Sequence, residues 1–221
     1  MNRTRRVTAL GAVSAIALVG AFAAPAFAAS NKQIAKASTL KASDLSETGW
    51  TATPHTEDPP SKLPACAPTN KVEQAGKKFS AHSPDFKNSD TSGQITNTVY
   101  VFPTVKLAKA YLAAFRLPTA QECLQQGLDQ KLEGSGATAT VSALDVSGAP
   151  RGTFDEGVGF QGVITGVPAD QGGGADVYFE AVAFRLGRAV TGVTATNPGA
   201  AYPRTANLVI TDVARLKKHL K

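Results

Sequence analysis

ITNTVYVF, residues 95–102, alternates without a break: Ile95, Asn97, Val99 and Val101 fall on one side, Thr96, Thr98, Tyr100 and Phe102 on the other. The β-branched and aromatic content of that run predicts a strand. After Pro103-Thr104, the stretch VKLAKAYLAAFR (105–116) changes period. Val105, Leu107, Ala108, Tyr111, Leu112 and Phe115 share one stripe, as in an amphipathic helix lying on a sheet. Pro118-Thr119 opens a second helical segment, TAQECLQQGLDQKLE, and Gly134-Ser135-Gly136 ends it. Alternation returns over 137–146, and three further strands are predicted at about 157–167, 176–186 and 188–196. QGGG (171–174) reads as a hairpin loop, and Leu186-Gly187-Arg188-Ala189 places glycine first in a two-residue turn, as a type II′ hairpin requires. A final helix starts at Thr205 as N-cap and sets Val209, Val213, Leu216 and Leu220 on one face.

The amino-terminal third carries weaker patterns. LKASDLSETGW suggests a short helix over 43–47 with Ser43 as N-cap, stopped by Gly49. Pro54, Pro59, Pro60, Pro64 and Pro68 predict an extended loop over 52–70 without helix or central strand, and 79–92 is polar and turn-rich. The order of elements predicts an α+β fold: an antiparallel β-sheet meander flanked by helices, in a single domain with one disulfide.

The first residues change the picture of where that domain works. Arg3, Arg5 and Arg6 precede an apolar stretch from Val7 to about Ala24, followed by Pro25 and Ala26-Phe27-Ala28. This is the pattern of a secretory leader, residues 1–28, with cleavage between Ala28 and Ala29. The competing reading, a retained anchor, is weakened by composition. A bilayer helix needs about 20 strongly apolar residues, and this run is rich in Ala, Gly and Ser. Residues 29–38 then read as a flexible lead-in and 39–221 as the domain, with no stable membrane span after cleavage. Three positive charges leave with the leader, so the +6 net charge of the 221-residue chain halves. A charge that small makes no case for nucleic acid. Two cysteines in an oxidising compartment allow one pairing, Cys66 with Cys123. A catalytic thiol or a metal site would need histidines brought from elsewhere in the fold.

No assembled catalytic pattern is visible, and neither cofactor nor metal is expected. His55, His82 and His219 are far apart in sequence and read as solvated. Ser135 lacks the G-x-S-x-G spacing of a nucleophile elbow, and Gly76-Lys77-Lys78 lacks the rest of a phosphate loop. Asp155 and Glu156, adjacent in extended chain, should point to opposite sides. The candidate ligand-binding residues are Trp50, Tyr178 and Glu180. Tyr178 and Glu180 follow Asp176 and precede Val182 and Phe184 on one strand face, so the charged end faces solvent or lines a cleft. Trp50 is a packing anchor or a stacking platform.

Leu40, Asp44, Leu45, Gly49 and Trp50, a cysteine soon after, VYVF leading into an alanine-rich helix, Cys123 beyond it and the late AFRLGRAV hairpin together resemble the extracellular sensor domain of actinobacterial PknH-type serine/threonine kinases. The resemblance spans most of 38–220. It implies a helix-flanked antiparallel sheet with a cleft, an extracytoplasmic ligand and no enzymatic activity in the domain. The chain departs from that pattern in having no kinase domain, no membrane helix and one possible disulfide where the kinase sensors usually have two. The expectation is a secreted, non-enzymatic binding or sensor-like domain of the cell envelope. Its partner would be a small molecule, a lipid or an envelope component, with cell-wall association as a variant. Two other classes stay open: a secreted hydrolase whose site assembles only in the fold, and a wall- or membrane-surface interaction protein.

Overall fold

The computed structural model describes residues 30–57, 59–147, 152–166, 175–202 and 205–220. The leader, its Ala28–Ala29 junction and the QGGG loop lie outside the described residues. Among those described, eight strands form one antiparallel sheet: β1 (Trp50–Thr53), β2 (Ser80–His82), β3 (Asp85–Asn88), β4 (Gln94–Val101), β5 (Thr138–Ala143), β6 (Glu156–Thr165), β7 (Val177–Leu186) and β8 (Ala189–Pro198). Their spatial order is β1-β3-β4-β8-β7-β6-β5, and β2 continues the line of β3 beside β4. Five helices accompany them: α1 (30–38), α2 (Ala67–Gly76), α3 (Val105–Phe115), α4 (Pro118–Leu132) and α5 (Thr205–His219). None of the described helices is long and apolar enough to cross a membrane.

The predicted meander is present. The β7–β8 hairpin pairs Leu186 with Ala189, and Gly187 takes φ 56° while Arg188 stays at negative φ, the sign pattern of a type II′ turn. Strand alternation sorts two cores. On the α5 face, Ile95, Val182, Phe184 and Val193 meet Val209 and Val213, while Val99 and Val101 meet Leu216 and Ala35 of α1. On the α3 face, Phe102 and Val190 meet Phe79, Ala108, Tyr111 and Leu112.

Several expectations need correction. Residues 30–38 are helical, not a flexible lead-in. The residues that α1 buries, Asn31, Ala35 and Ser38, are small or polar and leave no apolar stripe to read. The proline-rich stretch 52–70 takes in the end of the edge strand β1, which the expectation allowed, but also the start of α2, which it did not. Pro64 opens a 3-10 turn ending at Cys66, and Pro68 occupies the first turn of α2, where a missing N–H costs no hydrogen bond. The segment 79–92 holds two strands of three and four residues, too short to show periodicity. The helix expected over 43–47 is a 3-10 turn at Ala42–Asp44, where the Asp44 carboxylate accepts the Lys41 amide. Val105 and Leu107 of the predicted stripe are 44% and 46% exposed. Thr205 is the first helical residue, and its hydroxyl donates to the Tyr202 carbonyl.

One polar cluster lies inside the α5 face. The Asn97 amide nitrogen donates to Asp212 Oδ2 (2.6 Å), to Thr191 Oγ1 (3.2 Å) and to the Gly192 carbonyl (2.9 Å), while its oxygen accepts the Leu40 amide (3.0 Å). Thr191 also donates to Asp212 Oδ2, at 2.8 Å. Burial pushes the Asp212 carboxyl up to about 8, against the lowering pull of Thr191, Arg215 and Asn97. Nearby, Asp44 holds Arg215 through two charge-assisted bonds, at 2.6 and 2.5 Å, which pins α5 to the amino-terminal segment. At the far edge of the sheet, α4 closes β5. Gln125 donates to the Ala139 carbonyl and accepts the Val141 amide, both at 2.9 Å, so its side-chain amide pairs with β5 as a neighbouring strand would.

Cys66 and Cys123 are bonded, with Cα atoms 4.7 Å apart and 57 residues of separation. The bridge joins the start of α2 to the first turns of α4. Chain-entropy bookkeeping gives a loop of that size about 4 kcal/mol. Replacing both cysteines by alanine should lower Tm by roughly 10 °C and leave far-UV circular dichroism unchanged; an unaltered Tm would show that the bridge does not support the fold. A second expectation concerns Asp212. Its folded carboxyl keeps a proton that the unfolded chain releases near pH 4, so its contribution is complete below about pH 4 and is lost as pH rises toward 8. Asp212→Asn should therefore flatten the fall in Tm between pH 5 and 8; parallel Tm–pH curves for the two proteins would refute the raised carboxyl.

Candidate functional site

The α3 face is only partly covered. Its floor is built from the even-numbered side chains of β4 and β8 and their neighbours on β6 and β7: Thr96, Thr98 and Tyr100; Val190, Gly192 and Thr194; Val158 and Phe160; Ala181 and Ala183. Alanine, glycine and threonine keep that floor low. Helix α3 presses Tyr111 and Leu112 onto the Val190 end, where Tyr111 stands 4.5 Å from the Tyr100 ring and 5.1 Å from Phe115. Helix α2 comes up beside it, because Gly76 lets the helix end lie on Tyr100. A Cβ there would stand 3.0 Å from the ring.

Three recesses adjoin along this face. The central one, 160 Å³, is walled by Glu73 of α2 and by Tyr100, Tyr111, Phe115 and Phe160. It shares Glu73, Thr98 and Tyr100 with a 250 Å³ recess lined by His55, Glu57, Lys77 and His82. It shares Phe115, Val158 and Phe160 with an 800 Å³ recess between the α3–α4 junction and β6. Together they make a trough with an apolar and threonine-lined middle, a histidine-carboxylate end and an end bearing Arg116.

The electrostatics differ along its length. Burial pushes the Tyr100 hydroxyl up to about 12 and the Tyr111 hydroxyl well above its ordinary value, so both are neutral phenols. Desolvation on the α2 wall raises the Glu73 carboxyl, although the residue as a whole stays exposed. At the histidine end the His55 and His82 rings stack with centroids 4.3 Å apart. His55 Nδ1 meets Asp85 Oδ1 at 2.6 Å, and His82 Nδ1 meets Thr98 Oγ1 at 3.0 Å. Burial and then the neighbouring His55 lower the His82 imidazole below its ordinary value. Glu57 is held below the usual carboxylate range by its hydrogen bond with Lys77. At the other end Arg116 and Arg185 share Glu156, each at 2.5 Å, and Arg185 also takes Asp155 at 2.7 Å. Asp155 and Glu156, expected to diverge, thus converge on one guanidinium. Ser135 forms a turn, its hydroxyl donating to the Leu132 carbonyl at 2.6 Å. No group of three or more metal-ligating side chains occurs among the described residues.

The candidates read from sequence lie elsewhere. Tyr178 and Glu180 sit together on the α5 face, beyond the reach of α5, in a separate 330 Å³ recess with Thr140, Ser142, Gln161 and Val163. Register explains the grouping: Glu180 pairs with Gln161 and Gln161 with Ser142, while Tyr178 pairs with Val163 and Val163 with Thr140. Trp50 is not among the residues of that recess. It packs edge-on against Tyr202, centroids 6.2 Å apart, and its Nε1 donates to Glu47 at 3.3 Å. The trough residues His55, Glu73, His82, Tyr100 and Tyr111 were not singled out from sequence as a site. The alternation of 95–102 did display Thr96, Thr98 and Tyr100 as one side of a strand, which was the available signal.

No family model matches the chain, and no curated protein sequence does. Among solved structures, the match to Protein Mog1 E65A mutant has 12% identity over 62% of this chain and 77% of that one; its TM-score of 0.26 carries no argument. The crystal structure of the extracellular domain of PknH from Mycobacterium tuberculosis covers 82% of this chain and 94% of its own, with 14% identity and a TM-score of 0.51. The chain thus resembles that extracellular domain in fold.

Proposed function

We propose that the protein is a non-enzymatic, extracytoplasmic binding or sensor-like domain that takes up a small molecule in the trough of the α3 face. The observation that carries this reading is the continuity of three recesses across a sheet face whose floor is kept low by Gly192, Ala181 and Ala183. Ligand sites in helix-flanked sheets are concave and mostly apolar with a few polar groups, and this trough has that composition. The fold of an extracellular domain and the Cys66–Cys123 bridge support a location outside the cytoplasm. Among the described residues of the trough no hydroxyl, imidazole and carboxylate are joined in series: His55 Nδ1 meets Asp85, His82 Nδ1 meets Thr98, and Glu57 lies 3.9 Å from His82 Nε2, beyond hydrogen-bond reach.

The test is native mass spectrometry of the protein purified from its own envelope. The wild type should retain a small molecule, and Gly192→Leu should not. A Cβ at Gly192 meets nothing closer than 3.5 Å, so the leucine fits the sheet while filling the trough, and Tm should change little. Equal retention by both proteins, or no retained mass together with no thermal shift across a metabolite and lipid collection, would end the proposal.

A further inference from the structure

Resting on that reading of the trough, we infer that its ligand is an organic cation, an ammonium head group joined to an apolar chain, with the head seated between Glu73 and the Tyr100–Tyr111–Phe115 rings. The argument begins with charge. Glu73 is the one carboxylate or basic side chain among the described residues lining the central recess; every other wall residue there is aromatic, aliphatic, threonine or glycine, and its two tyrosines stay neutral. Among the described residues the Glu73 carboxylate has no ion-pair or hydrogen-bond partner, whereas the charges of the adjoining recess are matched: Lys77 with Glu57, and His55 with Asp85. The uncompensated charge at the centre of the trough is therefore negative. An anionic head would be repelled there, a neutral one would be indifferent, and a cation would be attracted.

The aromatic wall points the same way. Aromatic rings present a negative face, and a cation over such a face is attracted, more strongly as it is desolvated. Tyr100, Tyr111 and Phe115 form one continuous run of rings beside the carboxylate. Because both tyrosines stay neutral phenols, they offer rings and hydroxyls without a competing charge. No lysine, arginine or histidine side chain lines this recess among the described residues, so no resident cation already occupies the rings.

The rest of the ligand follows from the floor. Val158, Phe160, Ala181 and Ala183 give the recess an apolar base, and Phe115, Val158 and Phe160 continue into the neighbouring space. A 160 Å³ recess holds a head group and little more, so an attached chain would run along that shared apolar wall. Such a head and chain describe an amphiphilic amine or a lipid with a cationic head group, and the two sources share this chemistry.

Isothermal titration of the purified protein separates the possibilities, using hexyltrimethylammonium, hexyl sulfate, 1-hexanol and choline as probes. Hexyltrimethylammonium should bind about tenfold more tightly than hexyl sulfate or 1-hexanol. Glu73→Gln should erase that preference and Glu73→Lys should reverse it toward hexyl sulfate. Glu73 lies on an exposed helix position, so both variants should fold. Choline binding within about twofold of hexyltrimethylammonium would overturn the apolar-chain half and identify a free cation as ligand. Equal binding of all three six-carbon probes would overturn the cation assignment while leaving the trough as a binding site. Failure of every probe would overturn the inference alone if native mass spectrometry still finds a retained mass that Gly192→Leu loses, and both readings if it does not.

Discussion

The Asn97 side chain holds the α5 face together. Its amide is spent on Asp212 of α5, on Thr191 and Gly192 of β8 and on the Leu40 amide, while its own backbone N–H donates to Ser83 Oγ at 3.2 Å. Buried polar groups that lose a partner cost about 1–3 kcal/mol each, so sliding α5 along the sheet would orphan several at once. The surrounding Ile95, Val99, Val193, Val209 and Val213 supply burial, which is non-directional. The amide cluster supplies direction. It fixes where α5 crosses the strands, and the Asp44–Arg215 pair then fixes the amino-terminal segment against α5. The cost is visible in Asp212, whose carboxyl stays protonated far above its ordinary range because burial outweighs the lowering pull of Thr191, Arg215 and Asn97.

With α1 and α5 committed to one face, the character of the other face depends on how few helices cover it. The disulfide ties the start of α2 to α4, and α4 lies against the outer edge of β5, where its glutamines complete the strand. That places α4 to one side of the sheet. Helix α3 covers only the Val190 end, and α2 leans on Tyr100 through Gly76. The middle stays open. Threonines at 96, 98 and 194 suit that position, because a hydroxyl facing water needs no partner inside and the β-branched carbons still favour a strand. The trough is thus a consequence of a bridge and a strand cap that hold two helices away from the sheet centre.

Legibility followed the strength of local patterns. The runs at 95–102 and 205–220 each repeat one period for long enough to identify element and buried face, while 105–116 identified a helix but put the exposed Val105 and Leu107 on its buried stripe. Ile95, Val99, Val101, Val209, Val213 and Leu216 are buried as that periodicity implies. Alpha-1 was missed because Asn31, Ala35 and Ser38 are not hydrophobic enough to mark a face, and α2 because prolines at a helix start look the same in sequence as prolines in a loop. Of the site, the strand carrying Tyr178 and Glu180 was placed correctly, and the two residues do share a recess. The trough escaped notice because its parts are distributed over α2, α3 and strands far apart in the chain. His55 and His82, separated by a proline-rich stretch and a helix, stack because β1 pairs with β3 and β2 continues the line of β3 beside β4, which brings the segment after β1 next to β2.

What the sequence by itself determined was local: the type of the long periodic segments, the apolar side of the most regular of them, and that the two cysteines form a pair. These follow from periodicity and from chemistry that acts between near neighbours or admits a single partner. Tertiary structure alone decided which sheet face closes and which remains open, how Asp155 and Glu156 come to share Arg185, and that Glu73 lines one recess with Tyr100 and Tyr111. Such meetings depend on the angles at which helices cross the sheet. Those angles are set by the Asn97 cluster, the disulfide and the small residues of the floor acting together, and no short stretch of chain contains them.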